Sequence, residues 1–455
     1  MRAAPAELTT SDRTTAAPAP AGAASDRGPF SRLLRNAREP LPLLLIQIVV
    51  ILAAARGMGA LFVRLGQPSV VGEMVAGILL GPSLFGLLAP AAQAALFPAA
   101  SMGALRMLSQ VGVIVFMFVV GVELDLGHLA RQSHAALLVS HTSILVPGVL
   151  GMAFALAVYG ELAPAGVSFR AFALFFGAAM SMTAFPVLAR ILEERGLSQS
   201  PLGVQALACA AITDASAWCL LALIVALGTP AGPAAGLETA LFTLVFVALM
   251  FGVVRPVAAR VIRPETTSEA AARTLLAVVL ACVLLCAFVT EVIGIHALFG
   301  AFVAGAVLPS YPSVHRQLKT RLESFSAVAL LPLFFASTGL HTEIGLIHGA
   351  RNWMLCLLVI ALATVGKVGG TSVAARVTGS SWPDAFALGA LMNTRGLVEL
   401  IVLDLGYNLG ILSPSLFAMM VVMAITTTVA TGPLLALHQR WVGGRPSAAA
   451  NPSQA

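Results

Sequence analysis

Charge is what this chain of 455 residues has least of, because Asp, Glu, Lys and Arg together make up only 10% of it. Soluble domains carry about 25% charged residues. Since 58% of the residues here are hydrophobic, the composition excludes an ordinary soluble protein and predicts an integral membrane protein. The net charge of +6 is no nucleic-acid signal, because the arginines mostly flank apolar runs or lie in the N-terminal tail, as membrane topology determinants do.

Cysteine and histidine are too few and too scattered to form an obvious site. The five cysteines all fall within apolar runs, without the spacing of metal ligands or of a disulfide framework. They are Cys209, Cys219, Cys282, Cys286 and Cys356. No two histidines stand at ligand spacing on one predicted helix. The sequence therefore predicts no resident metal, no cofactor and no enzymatic activity.

Apolar runs of roughly twenty residues, long enough to cross a bilayer as a helix, occur thirteen times. In chain order, these predicted spans cover about 41–64, 69–88, 104–122, 134–159, 170–193, 201–227, 237–259, 271–291, 294–309, 322–340, 352–377, 384–404 and 413–438. The sequence thus predicts an all-α polytopic membrane protein with a transmembrane domain at 40–440. Residues 1–39, rich in Ala, Pro, Ser and Thr, are predicted to be a disordered tail, and 441–455 a short C-terminal tail.

An internal repeat relates the two halves of the transmembrane domain. Gly66, Gly72, Ala76, Gly77 and Leu80 recur 228 residues later as Gly294, Gly300, Ala304, Gly305 and Leu308. The motifs at 121–126 and 211–214 return at 339–344 and 424–427. Each match lies seven spans on, and an odd displacement reverses the direction across the membrane. The sequence therefore predicts two inverted six-helix repeats, 41–227 and 271–438, with a linker helix at 237–259, which is a transporter architecture.

The distribution of basic residues predicts the orientation in the membrane. Loops on the side of the C-terminus carry Arg64, Arg131, Arg190, Arg195, Arg260, Arg263, Arg273, Arg316, Lys319, Arg321 and Arg376. Loops on the other side carry only Arg106, Arg170 and Arg351, at span edges. We therefore expect a cytoplasmic C-terminus and an outer N-terminus in a bacterial-type inner membrane. Arg32, Arg35 and Arg38 just before the first span oppose translocation of the tail.

Asp214 is the only charged residue in the sixth predicted span and falls near its middle. A carboxylate at that depth is costly unless it is solvated, paired or protonated, so an intramembrane acid indicates a functional site. The alternative is that Asp214 caps a helix break or anchors a neighbouring helix by hydrogen bonding. We take Asp214 as the centre of the site.

The fifth and twelfth predicted spans are interrupted at corresponding positions of the two repeats. In the fifth span, Pro186 removes a backbone donor, and Ser181 and Thr183 offer hydroxyls beside the freed carbonyls. In the twelfth span, the polar run at 392–399 contains Gly396, where the helix should unwind. Taken alone, Pro186 fits a simple helix kink as well as it fits a functional break. Paired interruptions are the best sequence indication of a transport site, because unwound carbonyls can coordinate a small cation together with a carboxylate.

Other charges lie deep in the predicted spans. Lys367, one of two lysines, sits in the middle of the eleventh span, so we expect it to pair with Asp214 or with carbonyl ends of a broken helix. It is either a fixed counter-charge or a proton carrier. Arg395 and Glu399 stand four apart on one helical face and are expected to neutralise each other. We group Lys367, Arg395, Glu399 and Asn393 as charge-compensating or proton-linked residues.

Four stretches make the sequence recognisable. They read FFGAAMSMTAFPVLARIL at 175–192, LGQPSVVGE at 65–73, IHALFGAF at 295–302 and MNTRGLVEL at 392–400. With them the chain resembles the monovalent cation/proton antiporter superfamily, in the branch of Kef-type transporters and plant cation/proton exchangers. The likeness covers all thirteen spans. It favours the plant-exchanger type because of the run at 393–396 and the spacing of Asp214 and Trp218.

The resemblance implies a sodium/proton antiporter-like fold, with two crossed broken helices in a core domain, a dimerisation domain and elevator-like alternating access in a homodimer. Asp214 matches the ion-binding aspartate, Thr183 a broken-helix ligand position and Lys367 a core-domain lysine. Relatives usually have Asn, Asp or Gln before the aspartate, where this chain has Thr213. The form with two carboxylates is associated with electrogenic exchange. Thr213 therefore favours one proton per cation, whereas a Lys367 that loses its proton on cation binding would restore a second transported charge.

The predicted function is a secondary antiporter that exchanges K⁺ or Na⁺ for protons, with both substrates competing for Asp214 and with Thr213, Thr183 and Ser181 completing the binding site. Two other functions stay open. A cation-coupled symporter of an organic solute would need a larger and more polar cavity. A non-transporting membrane sensor would usually carry an attached signalling domain.

Overall fold

The computed structural model describes residues 36, 39–123, 134–228, 233–262, 269–309 and 311–443. The predicted tails at 1–39 and 441–455 lie outside the described residues, apart from 36, 39 and 441–443. The described chain forms helices joined by turns and contains no strand. Such a fold satisfies the backbone N–H and C=O groups within each segment, as the interior of a bilayer requires.

The described α-helices are numbered here in chain order. The first ten are α1 (Pro40–Arg64), α2 (Ser69–Leu80), α3 (Phe85–Leu88), α4 (Pro90–Leu96), α5 (Ala99–Glu123), α6 (His134–Leu162), α7 (Phe169–Ser181), α8 (Phe185–Glu194), α9 (Pro201–Gly228) and α10 (Pro233–Leu249). The others are α11 (Arg255–Val261), α12 (Glu269–Ile293), α13 (Ala297–Ala306), α14 (Pro312–Phe325), α15 (Leu331–Leu340), α16 (Gly349–Thr364), α17 (Gly370–Val377), α18 (Trp382–Met392), α19 (Leu397–Asn408) and α20 (Pro414–Gly443). Five-residue π turns join α10 to α11, α14 to α15 and α16 to α17.

Nine helical segments among the described residues are long and apolar enough to cross a membrane. They are Pro40–Arg64, Ser69–Leu88, Ala99–Val122, His134–Leu162, Leu237–Val261, Glu269–Ile293, Val328–Leu346, Gly349–Val377 and Pro414–His438. Two shorter apolar helices, α7 and α13, accompany them. The prediction of an all-helical, multi-pass membrane protein is confirmed at this level.

The fifth and twelfth predicted spans are each built from two half-helices. The fifth is helical as α7, extended at 182–184 and helical again as α8. The twelfth is α18, a non-helical stretch at 393–396, and then α19. Pro186 lies in the first turn of α8 and not in the extended stretch, because a residue without an N–H loses no intrahelical bond there. Gly396 is the residue immediately before α19.

The two interruptions cross inside the protein. The N–H of Ala184 donates to the carbonyl of Thr394 at 3.1 Å. The hydroxyl of Thr183 donates to the carbonyl of Met392 at 3.1 Å. All four residues are buried. Each break therefore satisfies part of the backbone that the other break exposes, as non-helical backbone at membrane depth requires.

The helices pack into two groups. In the first helix group, α1, α2, α5, α12, α13 and α15 pack on one another. In the second, α6, α7, α9, α16, α17, α18 and α20 do so, together with the half-helices α8 and α19. The groups meet where α20 contacts α2 and where α19 contacts α15. The crossed broken helices thus belong entirely to the second group.

Glycines bring helices of the first group into backbone contact. Gly77 of α2 lies against the backbone of Phe335 in α15, and a Cβ at Gly77 would collide with it. Gly305 of α13 lies in the same way against the backbone of Phe118 in α5. Small residues are the usual means by which membrane helices approach closely.

Some boundaries differ from the predicted ones. Arg316, Lys319 and Arg321, predicted to lie in a loop, belong to the amphipathic α14, whose charges hid it from a search for apolar runs. The predicted span at 294–309 is helical only as α13. This helix starts later than predicted because Gly294 and His296 both have positive φ, 93° and 81°. The last helix extends beyond 438 to Gly443.

Candidate functional site

Asp214 lies in the middle of α9 and is 2% exposed. Its Oδ2 accepts a hydrogen bond at 3.3 Å from the backbone N–H of Phe185, the first residue of α8. Its Oδ1 is buried and has no hydrogen-bond partner. The carboxylate therefore stands at the N-terminus of a half-helix, where the positive end of the helix dipole favours an anion. One oxygen is held by the protein, and the other is available to a ligand.

The three predicted hydroxyl ligands are buried, and their protons go to backbone carbonyls. Thr213 Oγ1 donates to the carbonyl of Cys209 at 2.8 Å. Ser181 Oγ lies 2.8 Å from carbonyls of both α6 and α7, and Thr183 donates across the crossing. None of the three hydroxyls hydrogen-bonds to Asp214. Each keeps lone pairs that could coordinate a cation.

Two buried cations hold the C-terminal end of α7. Lys367 Nζ donates to the carbonyl of Ser181, the last residue of α7, and at 2.9 Å to a carbonyl of α6. Arg395 donates to the carbonyls of Ala179 at 3.1 Å and Met180 at 2.6 Å. The last carbonyls of a helix lack intrahelical partners and form the negative end of its dipole, so cations stabilise them. Of the two partners predicted for Lys367, the structure has the carbonyl end of a broken helix.

Arg395 and Glu399 form the ion pair that their spacing predicts. Arg395 Nη1 lies 3.0 Å from Glu399 Oε1, and both side chains are buried. Lys367 lies within electrostatic range of Asp214, Arg395 and Glu399. Because Arg395 is matched by Glu399 and Lys367 is bonded to neutral carbonyls, the structure gives Asp214 no direct cationic partner among the described residues.

Asn393 stands at the end of α18, beside the crossing. Its Oδ1 and Nδ2 are both buried and both lack a hydrogen-bond partner. Most buried side-chain amides are satisfied, so an unpartnered one needs an explanation. Asn393 Oδ1, Asp214 Oδ1 and Glu399 Oε2 are thus unpartnered side-chain oxygens near the two breaks, of the kind that alkali cations bind.

Sequence reasoning missed Thr428, a second side chain that accepts a backbone N–H at one of the two breaks. Thr428 Oγ1 of α20 accepts the backbone N–H of Arg395 at 2.9 Å, just before α19. It satisfies an N–H in the second break, as Asp214 satisfies the N–H of Phe185 after the first. The sequence could have shown this, because the motif at 211–214 resembles that at 424–427, next to Thr428. A neutral hydroxyl thus serves the second break where a carboxylate serves the first.

Comparison with known families decides the class of protein. The family model described as the transmembrane sodium/hydrogen exchanger matches residues 46–437. The chain belongs to the sodium/hydrogen exchanger family. The predicted resemblance to monovalent cation/proton antiporters is thereby confirmed, and a family of transporters agrees with the expectation of no enzymatic activity.

Individual members of the family are similar over most of this chain. It is 44% identical over 396 residues to the Na⁺/H⁺ antiporter NhaS4 of Synechocystis sp., with 87% of this chain and 97% of that protein covered. It is 41% identical over 396 residues to the Cation/H⁺ antiporter 17 of Arabidopsis thaliana. That match covers 87% of this chain and 48% of the relative, so the chain spans about half the length of the plant protein.

A solved structure supports the fold. The structure of the sodium proton antiporter MjNhaP1 from Methanocaldococcus jannaschii matches with a TM-score of 0.65. The match covers 88% of this chain and 98% of that one, at 13% sequence identity. The shared fold therefore extends over nearly the whole transmembrane part, although the sequences have diverged widely.

Proposed function

We propose that this chain is a secondary active antiporter that exchanges a monovalent cation, K⁺ or Na⁺, for protons. The family and the antiporter relatives support this class of activity. The observation that carries it here is Asp214 Oδ1, a buried carboxylate oxygen without a partner beside a broken helix. A charge in that position is costly until it takes up a proton or a cation.

Transport follows from competition at this carboxylate. Asp214 holds either a proton or a cation stripped of water, and an arriving cation displaces the proton. Hydroxyl oxygens of Thr213, Thr183 and Ser181, the amide of Asn393 and carbonyls freed by the breaks supply further oxygen ligands. The second helix group crosses between the two faces only when Asp214 is neutralised, because an uncompensated carboxylate cannot pass a low-dielectric barrier.

Lys367 and Arg395 act in this cycle as fixed counter-charges. Both are bonded to the carbonyl end of α7, and Glu399 neutralises the excess charge of Arg395. The binding site then has one exchangeable charge, on Asp214. Since Thr213 adds no second acid, one proton moves per cation.

We also propose that thirteen spans form two inverted six-helix repeats, with the helix at 237–259 as linker. Gly66 and Gly294, which are 228 residues apart, both adopt positive φ, at 72° and 93°. The equivalent glycines Gly77 and Gly305 also make equivalent contacts. Gly77 joins α2 to α15, and Gly305 joins α13 to α5. A twofold relation that pairs α2 with α13 and α5 with α15 would produce such contacts.

The arginine-rich loops support a cytoplasmic C-terminus and an outer N-terminus in a bacterial-type inner membrane. In this orientation α8 points from the site to the cytoplasm, and α19 points to the outside. We further propose a homodimer in the lipid bilayer, in keeping with the resemblance that the sequence shows.

A symporter of an organic solute is a weaker candidate. A cavity of about 500 Å³ lies between α11, α12 and α13, but its lining is almost entirely apolar and does not include Asp214. Polar solutes need convergent polar groups in a cavity of that size. The small group of oxygens around Asp214 suits a bare ion better.

The test is proton flux in proteoliposomes that hold a pH gradient. Addition of K⁺ or Na⁺ should collapse the gradient with the wild-type chain, and the more potent ion is the preferred substrate. Asp214→Asn and Asp214→Ala should abolish the collapse, because an amide or a methyl group cannot exchange a proton for a cation. The matched control is Glu161→Gln, which removes an exposed carboxylate that pairs with Arg351.

The outcomes separate the candidate functions. Loss of exchange in the Asp214 variants, with normal exchange in Glu161→Gln, supports the assignment. Wild-type rates in Asp214→Asn, in protein that elutes and melts like the wild type, would overturn it. No collapse with either ion in the wild type would contradict antiport and favour the symporter or the sensor.

A further inference from the structure

A second group of ionisable side chains lies on the face opposite the arginine-rich loops. We call Arg106, His296, His341 and Asp404 the outer cluster. Arg106 belongs to α5, His296 precedes α13, His341 follows α15, and Asp404 belongs to α19. Gln110, His296 and Asp404 line one small cavity. Asp404 lies within electrostatic range of Arg106 and both histidines. The transport cycle proposed above uses none of these groups.

The hydrogen bonds of His341 fix its protonation state. Its Nδ1 lies 2.7 Å from the carbonyl of Ser337, which can only accept, so Nδ1 carries a hydrogen. Its Nε2 lies 2.9 Å from Arg106 Nη2, which can only donate, so Nε2 carries none. His341 is therefore neutral here, and Arg106 donates to it. A proton on Nε2 would break this bond and bring two positive charges together.

Asp404 is the acidic residue of the outer cluster. It lies in the second half of a broken helix, in the second helix group, whereas Arg106 and His341 belong to helices of the first group. Neither forms a hydrogen bond to Asp404 in this structure, and Asp404 Oδ2 accepts instead from Asn408 at 2.9 Å. Arg106, His341 and Asp404 are only partly buried, so solvent protons can reach them.

We propose that His341 is a second proton-binding site, through which acid on this face locks the transporter. The proposal rests on the antiport function above. Protonation of His341 releases Arg106, and both cations then bind the carboxylate of Asp404. Because Asp404 lies on α19, this contact ties the broken helix to α5 and α15. This contact between the two helix groups opposes their relative movement and therefore slows exchange.

A charged hydrogen bond to a carboxylate is among the stronger contacts in proteins. Two cations bound to Asp404 would therefore hold α19 firmly against α5 and α15.

Two further ionisable groups, Glu291 and Glu343, lie near the outer cluster. Glu291 accepts the N–H of Ala297 at 2.7 Å, and Glu343, two residues beyond His341, is exposed. Within the cluster, His296 Nδ1 accepts the N–H of Leu298 at 3.4 Å, and His296 lines the same cavity as Asp404. The experiment must therefore separate His296 from His341.

The test is tracer exchange of ²²Na⁺ or ⁸⁶Rb⁺ at equal pH on both sides, at saturating cation, with each protein normalised to its own rate at pH 8. Equal pH keeps the driving force constant, and competition at Asp214 is common to all variants. His341→Gln keeps an acceptor for Arg106 but cannot take up a proton. Near pH 5.5 we expect it to retain about fivefold more of its rate than the wild type, a coupling at the low end of known switches.

Matched variants make the result specific. Asp404→Asn should give the same resistance to acid, and the double variant should add nothing to it. His141→Gln is the control, because His141 Nδ1 makes the same bond to a carbonyl four residues earlier, at 2.8 Å, and should keep the wild-type profile. A normal profile in both His341→Gln and Asp404→Asn, with active wild type, would overturn this inference alone. Resistance confined to His296→Gln would assign the proton site to His296 and also overturn it. A wild type that exchanges neither tracer would overturn the antiport function instead.

Discussion

Lys367 shows how a buried charge can be positioned by carbonyls. Its ammonium group donates to the end of α7 and to α6, and Arg395 completes the same helix end. The sequence identifies Lys367, Asp214, Arg395 and Glu399, because ionised residues deep in apolar runs are rare. It does not identify the carbonyls they bind, since a carbonyl is present at every residue and only the crossing geometry selects one. Thr428 was not predicted either, because threonine is common in membrane helices and a single one does not indicate a particular contact.

Lys367→Ala should lower the stability of the protein substantially. Two buried carbonyls would lose a charged donor, which costs about 2 to 4 kcal/mol in total. Lys367→Gln should recover part of this, because its amide still donates. Thermal unfolding midpoints in detergent measure the effect, with Arg273→Ala, an exposed cation, as control. Equal midpoints for Lys367→Ala and Arg273→Ala would contradict the role given to Lys367.

At the scale of elements, the two broken helices were predictable and several helix ends were not. Pro186 lies two residues after the first break, and the run from Asn393 to Gly396 coincides with the second. The amphipathic α14 escaped prediction because its charges lower the hydropathy, although its apolar residues keep helical spacing. The contact of α2 with α15 could not be predicted, because a glycine permits a close approach without naming its partner.

Gly77→Ala and Gly305→Ala should each destabilise the protein. In both cases the new methyl group would meet backbone of another helix, which cannot move aside cheaply, so a loss of about 1 to 3 kcal/mol is expected. Gly57→Ala is the control, since nothing lies within 4 Å of the added Cβ and alanine favours the helix. Unfolding midpoints in detergent test this. Midpoints for Gly77→Ala and Gly305→Ala at or above that of Gly57→Ala would contradict the close packing at these two contacts.

At the scale of the whole molecule, one helix group carries the site and the other supports it. The crossed half-helices, Asp214 and Lys367 all belong to the second group, whereas the contacts of Gly77 and Gly305 belong to the first. Polar side chains of both helix groups lie near the boundary between the groups, as in the outer cluster. This division suits alternating access, in which a rigid unit carries its ion between two faces while the rest stays fixed.

Competition between cation and proton is the central claim, and the cation concentration that gives half-maximal exchange tests it most directly. It should be measured at a series of pH values in proteoliposomes, with the size of the pH gradient held constant. If both substrates bind Asp214, each unit of acidification in the range where Asp214 takes up a proton should raise that concentration about tenfold by mass action, whether or not the maximal rate also changes. A half-maximal concentration independent of pH, with only the maximal rate changing, would contradict the account.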